Sequence, residues 1–170
     1  METLSLEQAK KAASADRYGL IPLTRELYAD AVTPVEVMRI LKNVSRHCYM
    51  LESAEDNKQW GRYTFLGYDP KLELACVKGK MTIKNGTTIE MDISHPGKMI
   101  KKILADYRSP KLEHLPPFTG GLVGYFAYDY ICYAETSLKL QAKDEENFKD
   151  VDLMLFDKVI AFDNYRQKIV

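Results

Sequence analysis

An α+β fold, with a largely antiparallel β-sheet and flanking helices, is what three features of this sequence predict. Short apolar runs rich in β-branched and aromatic residues follow one another, separated by turn signals such as Lys78-Gly79-Lys80 and Asn85-Gly86. Strands joined by tight turns pair antiparallel. Helix-like stretches introduced by Ser5, Thr33 and Ser94 flank those runs. The composition, 46% hydrophobic and 28% charged over 170 residues, belongs to an ordinary globular chain long enough to bury a core.

Ser5-Leu6-Glu7-Gln8 has capping-box spacing: a hydroxyl and, three residues on, an amide that together satisfy two free backbone donors. Leu6, Ala9, Ala12 and Ala13 then share one face of a short helix ending near Ala15, with Gly19 in the turn beyond. Residues 20–28 read as extended, and Pro22, which cannot donate to a ladder, puts their start at an edge or outside a strand. Thr33-Pro34-Val35-Glu36 repeats the box with proline at the first helical position, where its missing N–H is harmless. Pro34, Val37, Met38 and Leu41 supply the buried stripe of a helix ending near Asn43.

Tyr49-Met50-Leu51-Glu52-Ser53 and Trp60-Gly61-Arg62-Tyr63-Thr64-Phe65-Leu66-Gly67-Tyr68 read as two strands around the polar connection Ala54–Gln59. Strands over Leu72–Val77, Met81–Lys84 and Thr87–Met91 follow, so the whole run is expected to form an antiparallel meander. A third helix starts around Ser94-His95-Pro96, with Met99, Ile100, Ile103, Leu104 and Tyr107 on one side. Ser109-Pro110 and Leu115-Pro116-Pro117 form a stiff connector into Phe118–Tyr130, which holds three glycines within five residues. No GK[ST] or GxGxxG pattern accompanies those glycines, so they mark close approach of a backbone or ring rather than a phosphate loop. Gln141–Asp150 reads as an exposed acidic loop or short helix. Val151–Phe156 and Lys158–Asp163 are strands, Asn164–Gln167 a turn, and Lys168-Ile169-Val170 the opening of a further strand. A strand cut off after one step leaves an unpaired edge, so a longer polypeptide is expected beyond Val170.

Function is narrowed first by exclusion. The 24 basic and 24 acidic side chains cancel, so no long-range field favours nucleic acid or an anionic membrane. Met1–Glu7 lacks a signal peptide's basic start and apolar core, and no apolar run reaches the ~20 residues that span a bilayer. Cys48, Cys76 and Cys132 are odd in number and widely spaced, which points to reduced thiols in a cytoplasmic protein. His47 adjoins Cys48, but no zinc-type ligand spacing occurs, and GxSxG and HExxH are absent. No metal, cofactor or catalytic residue is assigned. What stands out is Glu52-Ser53, a carboxylate and a hydroxyl where an apolar run stops, close in sequence to Trp60 and Arg62-Tyr63. They are either the cap of a strand entering a surface hairpin or polar groups aimed at a small ligand.

Two stretches carry a family resemblance. Leu51-Glu52-Ser53 with Trp60-Gly61-Arg62-Tyr63-Thr64-Phe65-Leu66-Gly67-Tyr68-Asp69-Pro70 resembles the "LLES…WGRYSFIGxDP" run of anthranilate synthase component I, a chorismate-utilising family. Gly120-Gly121-Leu122-Val123-Gly124-Tyr125-Phe126-Ala127-Tyr128-Asp129 resembles that family's "GGLVGYFGYD". Ile21-Pro22-Leu23, Thr33-Pro34-Val35 and Leu155-Phe156-Asp157…Phe162-Asp163 add matches in order along nearly the whole chain. Ala127 departs from the usual Gly, which puts close backbone approach there in doubt.

The resemblance implies the N-terminal part of a β-sandwich-like core whose C-terminal half would hold chorismate, Mg²⁺ and the catalytic residues. Residues 1–170 would then be a fragment, inactive alone. The parent would be a lyase of tryptophan biosynthesis that makes anthranilate and pyruvate from chorismate, with ammonia from a glutamine amidotransferase subunit, component II. Feedback inhibition by L-tryptophan is implied at Leu51, Glu52 and Ser53; Arg62 and Tyr63 are added from the adjacent strand. The alternatives are aminodeoxychorismate synthase component I of the folate pathway, from the same family, and a free-standing small-ligand or interaction module.

Overall fold

The computed structural model describes residues 6–14, 18–52, 61–135, 137–138 and 145–170. They form two five-stranded antiparallel sheets with helices, the α+β class expected. The chain divides into two compact units, the first from Met1–Pro70, Asp106–Gly120 and Phe156–Val170, the second from Lys71–Ala105 and Gly121–Leu155.

The first unit contains α1 (Leu6–Ala13), β1 (Leu27–Tyr28), α2 (Pro34–Val44), β2 (Cys48–Glu52), β3 (Tyr63–Tyr68), and, returning late in the chain, β9 (Val159–Asp163) and β10 (Lys168–Ile169). Its strand order is β1-β10-β9-β3-β2. Of the extended segment 20–28 only β1 joins the sheet, at its edge, as Pro22 requires of what precedes it. Thr33 caps α2 as expected: its hydroxyl accepts from Glu36 N at 3.2 Å. The corresponding box at Ser5 lies outside the described residues. Leu41 of α2, Leu66 of β3 and Phe162 of β9 form a buried cluster, with Val37, Met38, Met50 and Ile160 packed around it. Fully burying each such side chain stabilises by ~1.5–3 kcal/mol.

The second unit contains β4 (Leu72–Val77), β5 (Lys80–Asn85), β6 (Thr87–Asp92), α3 (Pro96–Asp106), β7 (Gly121–Phe126), a 3-10 turn over Tyr128–Tyr133, and β8 (Val151–Phe156), except that the last residues of α3 and β8, Asp106 and Phe156, belong to the first unit. Its strand order is β6-β5-β4-β8-β7. Alternation shows plainly on β4 and β8. Leu72, Leu74 and Cys76 face Leu155, Leu153 and Val151 in register, and all six are buried. Lys78 and Gly79 turn β4 into β5, both with positive φ (48° and 78°), as a two-residue I′ hairpin requires. Gly86 (φ 70°) forms the next hairpin tip, where Asn85 faces Thr87.

The expected single meander is therefore two sheets. The break falls at Asp69-Pro70. Asp69 adopts φ 52° and donates its amide to His47 O (3.2 Å) and Ser45 Oγ (2.9 Å), and Pro70 has no donor to continue the β3 ladder. Gly124 of β7 shows the close approach that its sequence context predicts. A Cβ there would lie 2.0 Å from Asp152 O, and its φ of 153° suits glycine alone. Ala127 sits at φ −68° and donates to Asp150 O at 2.9 Å, in a conformation open to any side chain.

Candidate functional site

The strand end singled out in the sequence is the end of β2. Leu51 faces Phe65 and Glu52 faces Thr64 across the β2–β3 pair. Cys48 and Met50 pack on the Leu41 cluster, so the alternation of the strand puts Tyr49 and Leu51 on the opposite face. Leu51 is 47% exposed and Glu52 is exposed as well. Ser53 and Trp60 lie outside the described residues.

Aromatic rings line the face that carries Tyr49 and Leu51. Tyr63 stacks on Phe65 with centroids 5.6 Å apart, and Phe118 meets Phe65 edge-on at 5.6 Å. Phe156 meets Tyr49 edge-on at 4.7 Å. The Tyr49 ring lies over Gly67, where a Cβ would come within 2.2 Å of its Cε1. Its hydroxyl is buried with no hydrogen-bond partner among the described residues, and burial pushes the phenol up to about 12.

Arg62 precedes β3 and is held from β9. Its Nε donates to Asp163 Oδ1 at 3.0 Å and its Nη2 to Oδ2 at 2.5 Å, a bidentate fork. The guanidinium centre also sits 4.8 Å from the Tyr63 ring and 5.8 Å from that of Tyr165. Asp163 is buried, and its Oδ1 accepts further from Tyr165 N (3.2 Å) and Arg166 N (3.0 Å). Burial by itself raises the Asp163 carboxyl, but the Arg62 fork and these amides outweigh it and hold the group below the usual carboxylate range.

The structure thus brings Leu51, Glu52, Arg62 and Tyr63 to one end of one sheet, and gives most of the Arg62 fork to Asp163. Asp163 and Tyr49 are the residues that sequence reasoning missed. Phe162-Asp163 entered only as part of a resemblance, and no periodicity marks its carboxylate as partner to a side chain 101 positions earlier. The arrangement offers no paired nucleophile and base. It offers an aromatic wall at the end of the sheet, suited to a ligand carrying a ring, with the Glu52 carboxylate at the same strand end but on the opposite face by alternation.

A separate apolar groove of about 660 Å³ in the same unit is lined by Leu23, Val37, Phe118, Ile160 and Ile169 among others. It shares Phe118 with the ring cluster, but none of Leu51, Glu52, Arg62 and Tyr63 lines it. Among the described residues no three His, Cys, Asp or Glu side chains gather as metal ligands would. No helix among them is long and apolar enough to cross a membrane.

No family model matches the chain. Individual proteins do. It is 36% identical over 157 residues to anthranilate synthase component 1 of Acetivibrio thermocellus, covering 91% of this chain and 31% of that protein. It is 34% identical over 171 residues to that of Acinetobacter calcoaceticus, covering 97% and 34%. The crystal structure of anthranilate synthase component I from Streptococcus pneumoniae matches 87% of this chain and 31% of its own, with a TM-score of 0.51 at 24% identity, a likeness of fold. The chain spans about a third of the length of the curated relatives it matches. At that level of identity along nearly all its residues, the chain belongs to the anthranilate synthase component I family.

Proposed function

We propose that this chain is the N-terminal regulatory and scaffold region of an anthranilate synthase component I. Its parent converts chorismate and ammonia to anthranilate and pyruvate, taking ammonia from a glutamine amidotransferase subunit. Chorismate, Mg²⁺ and the catalytic groups belong to the part of the parent outside residues 1–170, so this chain alone turns over no chorismate. The observation that carries the reading is the 36% identity over 157 residues with a protein named for that activity.

The regulatory role is placed at the end of β2. L-Tryptophan would set its indole ring against the Leu51, Tyr63 and Phe65 face. Its charged amino-acid end would reach past the strand end to Glu52, which alternation turns to the other face of β2, and to the hydroxyl of Ser53, the next residue in sequence. Exposed Leu51 beside the Tyr63–Phe65 stack supports this, since indole recognition needs flat apolar contact. Inhibition would follow if tryptophan binds the inactive state of the parent better than the active one.

The test is an assay of the full-length parent with its amidotransferase, with and without tryptophan. Anthranilate should form, tryptophan should suppress it, and Ser53→Phe should raise the half-inhibiting tryptophan concentration about tenfold or more with kcat largely kept. Aminodeoxychorismate as the product would move the protein to the folate branch. Inhibition unchanged in Ser53→Phe would remove the assigned site.

A further inference from the structure

Building on the tryptophan site proposed above, we infer that Asp163 is a positioning residue for it, acting through Arg62 and Tyr63 without touching the ligand. Asp163 ends β9 directly opposite Tyr63. Two kinds of tie run from this strand end to the residues on either side of Tyr63. On one side the Asp163 carboxylate holds the Arg62 fork, and Asn164 N donates to Arg62 O at 2.8 Å. On the other, Asn164 Nδ2 donates to Thr64 Oγ1 at 3.4 Å. Thr64 is itself the cross-strand partner of Glu52.

The same contacts set the ring face. Arg62, fixed by Asp163, caps the Tyr63 ring at 4.8 Å; Tyr63 stacks on Phe65; and Phe65 faces Leu51. Every described side chain proposed to meet tryptophan is thus placed by the end of β9, or lies opposite a residue that is. Without the Asp163 charge, Arg62 would turn to solvent, where an arginine is well hydrated, and Tyr63 would lose its cap. Binding would then have to order groups that are now held beforehand, and lost preorganisation appears as lost affinity.

The experiment uses the full-length parent with its amidotransferase. Asp163→Asn should raise the half-inhibiting tryptophan concentration about tenfold, while kcat and KM for chorismate stay within about twofold of wild type. Asp163→Glu keeps the charge but displaces it by one methylene, and should give a smaller rise of about threefold. Assays run well below the thermal midpoint of each variant separate positioning from stability. A lowered midpoint with unchanged half-inhibition in Asp163→Asn overturns the inference and leaves the tryptophan site standing. If Asp163→Asn does not fold, Asp163→Glu decides, and half-inhibition equal to wild type counts against the inference. A wild-type enzyme that tryptophan does not inhibit overturns the site itself, and this inference with it.

Discussion

Asp163 at the end of β9 and Asp150 just before β8, one in each unit, are held by different chemistry. Asp163 meets a cation: a bidentate arginine, with two backbone amides completing its shell. Asp150 meets neutral donors. The Tyr133 hydroxyl donates to its Oδ2 at 2.7 Å, and Lys78 N donates to the same oxygen at 2.7 Å. That hydroxyl in turn accepts from Gly79 N at 2.7 Å, so one oxygen ties the β4–β5 turn to the end of the 3-10 segment. The charged clamp lies at the proposed ligand site, and the neutral knot lies at a turn to which no ligand is assigned. A bidentate ion pair sets the angle of a side chain as well as its distance, which is what a ligand-facing ring such as Tyr63 needs. A hydroxyl that both donates and accepts suits a fixed turn.

The widest separation between the two comes from Asp163→Asn. It leaves Arg62 without its anion and weakens two amide contacts. Loss of a buried partner costs ~3–5 kcal/mol, but Arg62 is about a third exposed, so about 2–3 kcal/mol is expected at neutral pH. The Asp163 carboxyl is held below its ordinary value, so its stabilisation is complete above the unfolded pKa of about 4 and is lost as pH falls through the lower native value. Urea unfolding should therefore show a gap between wild type and variant that is full at neutral pH and closes in acid. A gap that persists unchanged at strongly acid pH would mean that the fork contributes shape rather than charge.

Tyr133→Phe should cost less, about 1–2 kcal/mol, because it leaves Asp150 and Gly79 N short of one partner each at a half-exposed site. Its pH signature has the opposite sense. Burial raises the Tyr133 phenol first, and hydrogen bonds to Asp150 and Cys76 raise it further, so the native state favours the neutral form. That contribution is full below the unfolded pKa of about 10 and fades as pH rises above it. In alkali the variant should therefore gain on wild type. One clamp weakens in acid and the other in alkali, and unfolding curves at three pH values would show both.

How much of this could be read from the sequence depended on range. Features set within a few residues were legible: the Thr33 cap with Pro34 behind it, the alternation of Leu72–Val77, and the crowding implied at Gly124. So was the end of β2, where polarity changes abruptly at Glu52. Features that join distant residues were not legible. Nothing local says that Tyr68-Asp69-Pro70 ends one sheet and leads into another, because a corner and a hairpin use the same residue types. Arg62 was legible as a conspicuous residue but not as one committed to Asp163, since periodicity carries no information about which strand lies beside which. Tyr133 and Asp150 drew no attention, because a tyrosine among tyrosines has no signal until its hydroxyl finds a partner.

Tyr49 supplies the smallest and most discriminating test of the comparison. Tyr49→Phe removes the same single oxygen as Tyr133→Phe, but here the hydroxyl is buried without a partner among the described residues. An unsatisfied buried hydroxyl costs ~1–3 kcal/mol, and the rest of the ring, over Gly67 and against Phe156, is unchanged by its removal. The variant should be as stable as wild type or up to about 1 kcal/mol more stable, less than the full cost because phenylalanine leaves a small void where the oxygen was. It should also lose Tyr49's share of the wild-type fall in stability in alkali while keeping that of Tyr133, since a phenol pushed up to about 12 stays neutral in the native state while the unfolded one ionises near 10. A loss of more than about 0.5 kcal/mol at neutral pH would mean that the hydroxyl is partnered in solution, and would make Tyr49 a second knot of the Tyr133 kind. Opposite signs at the two tyrosines would locate the difference in their surroundings, because the chemical change is the same.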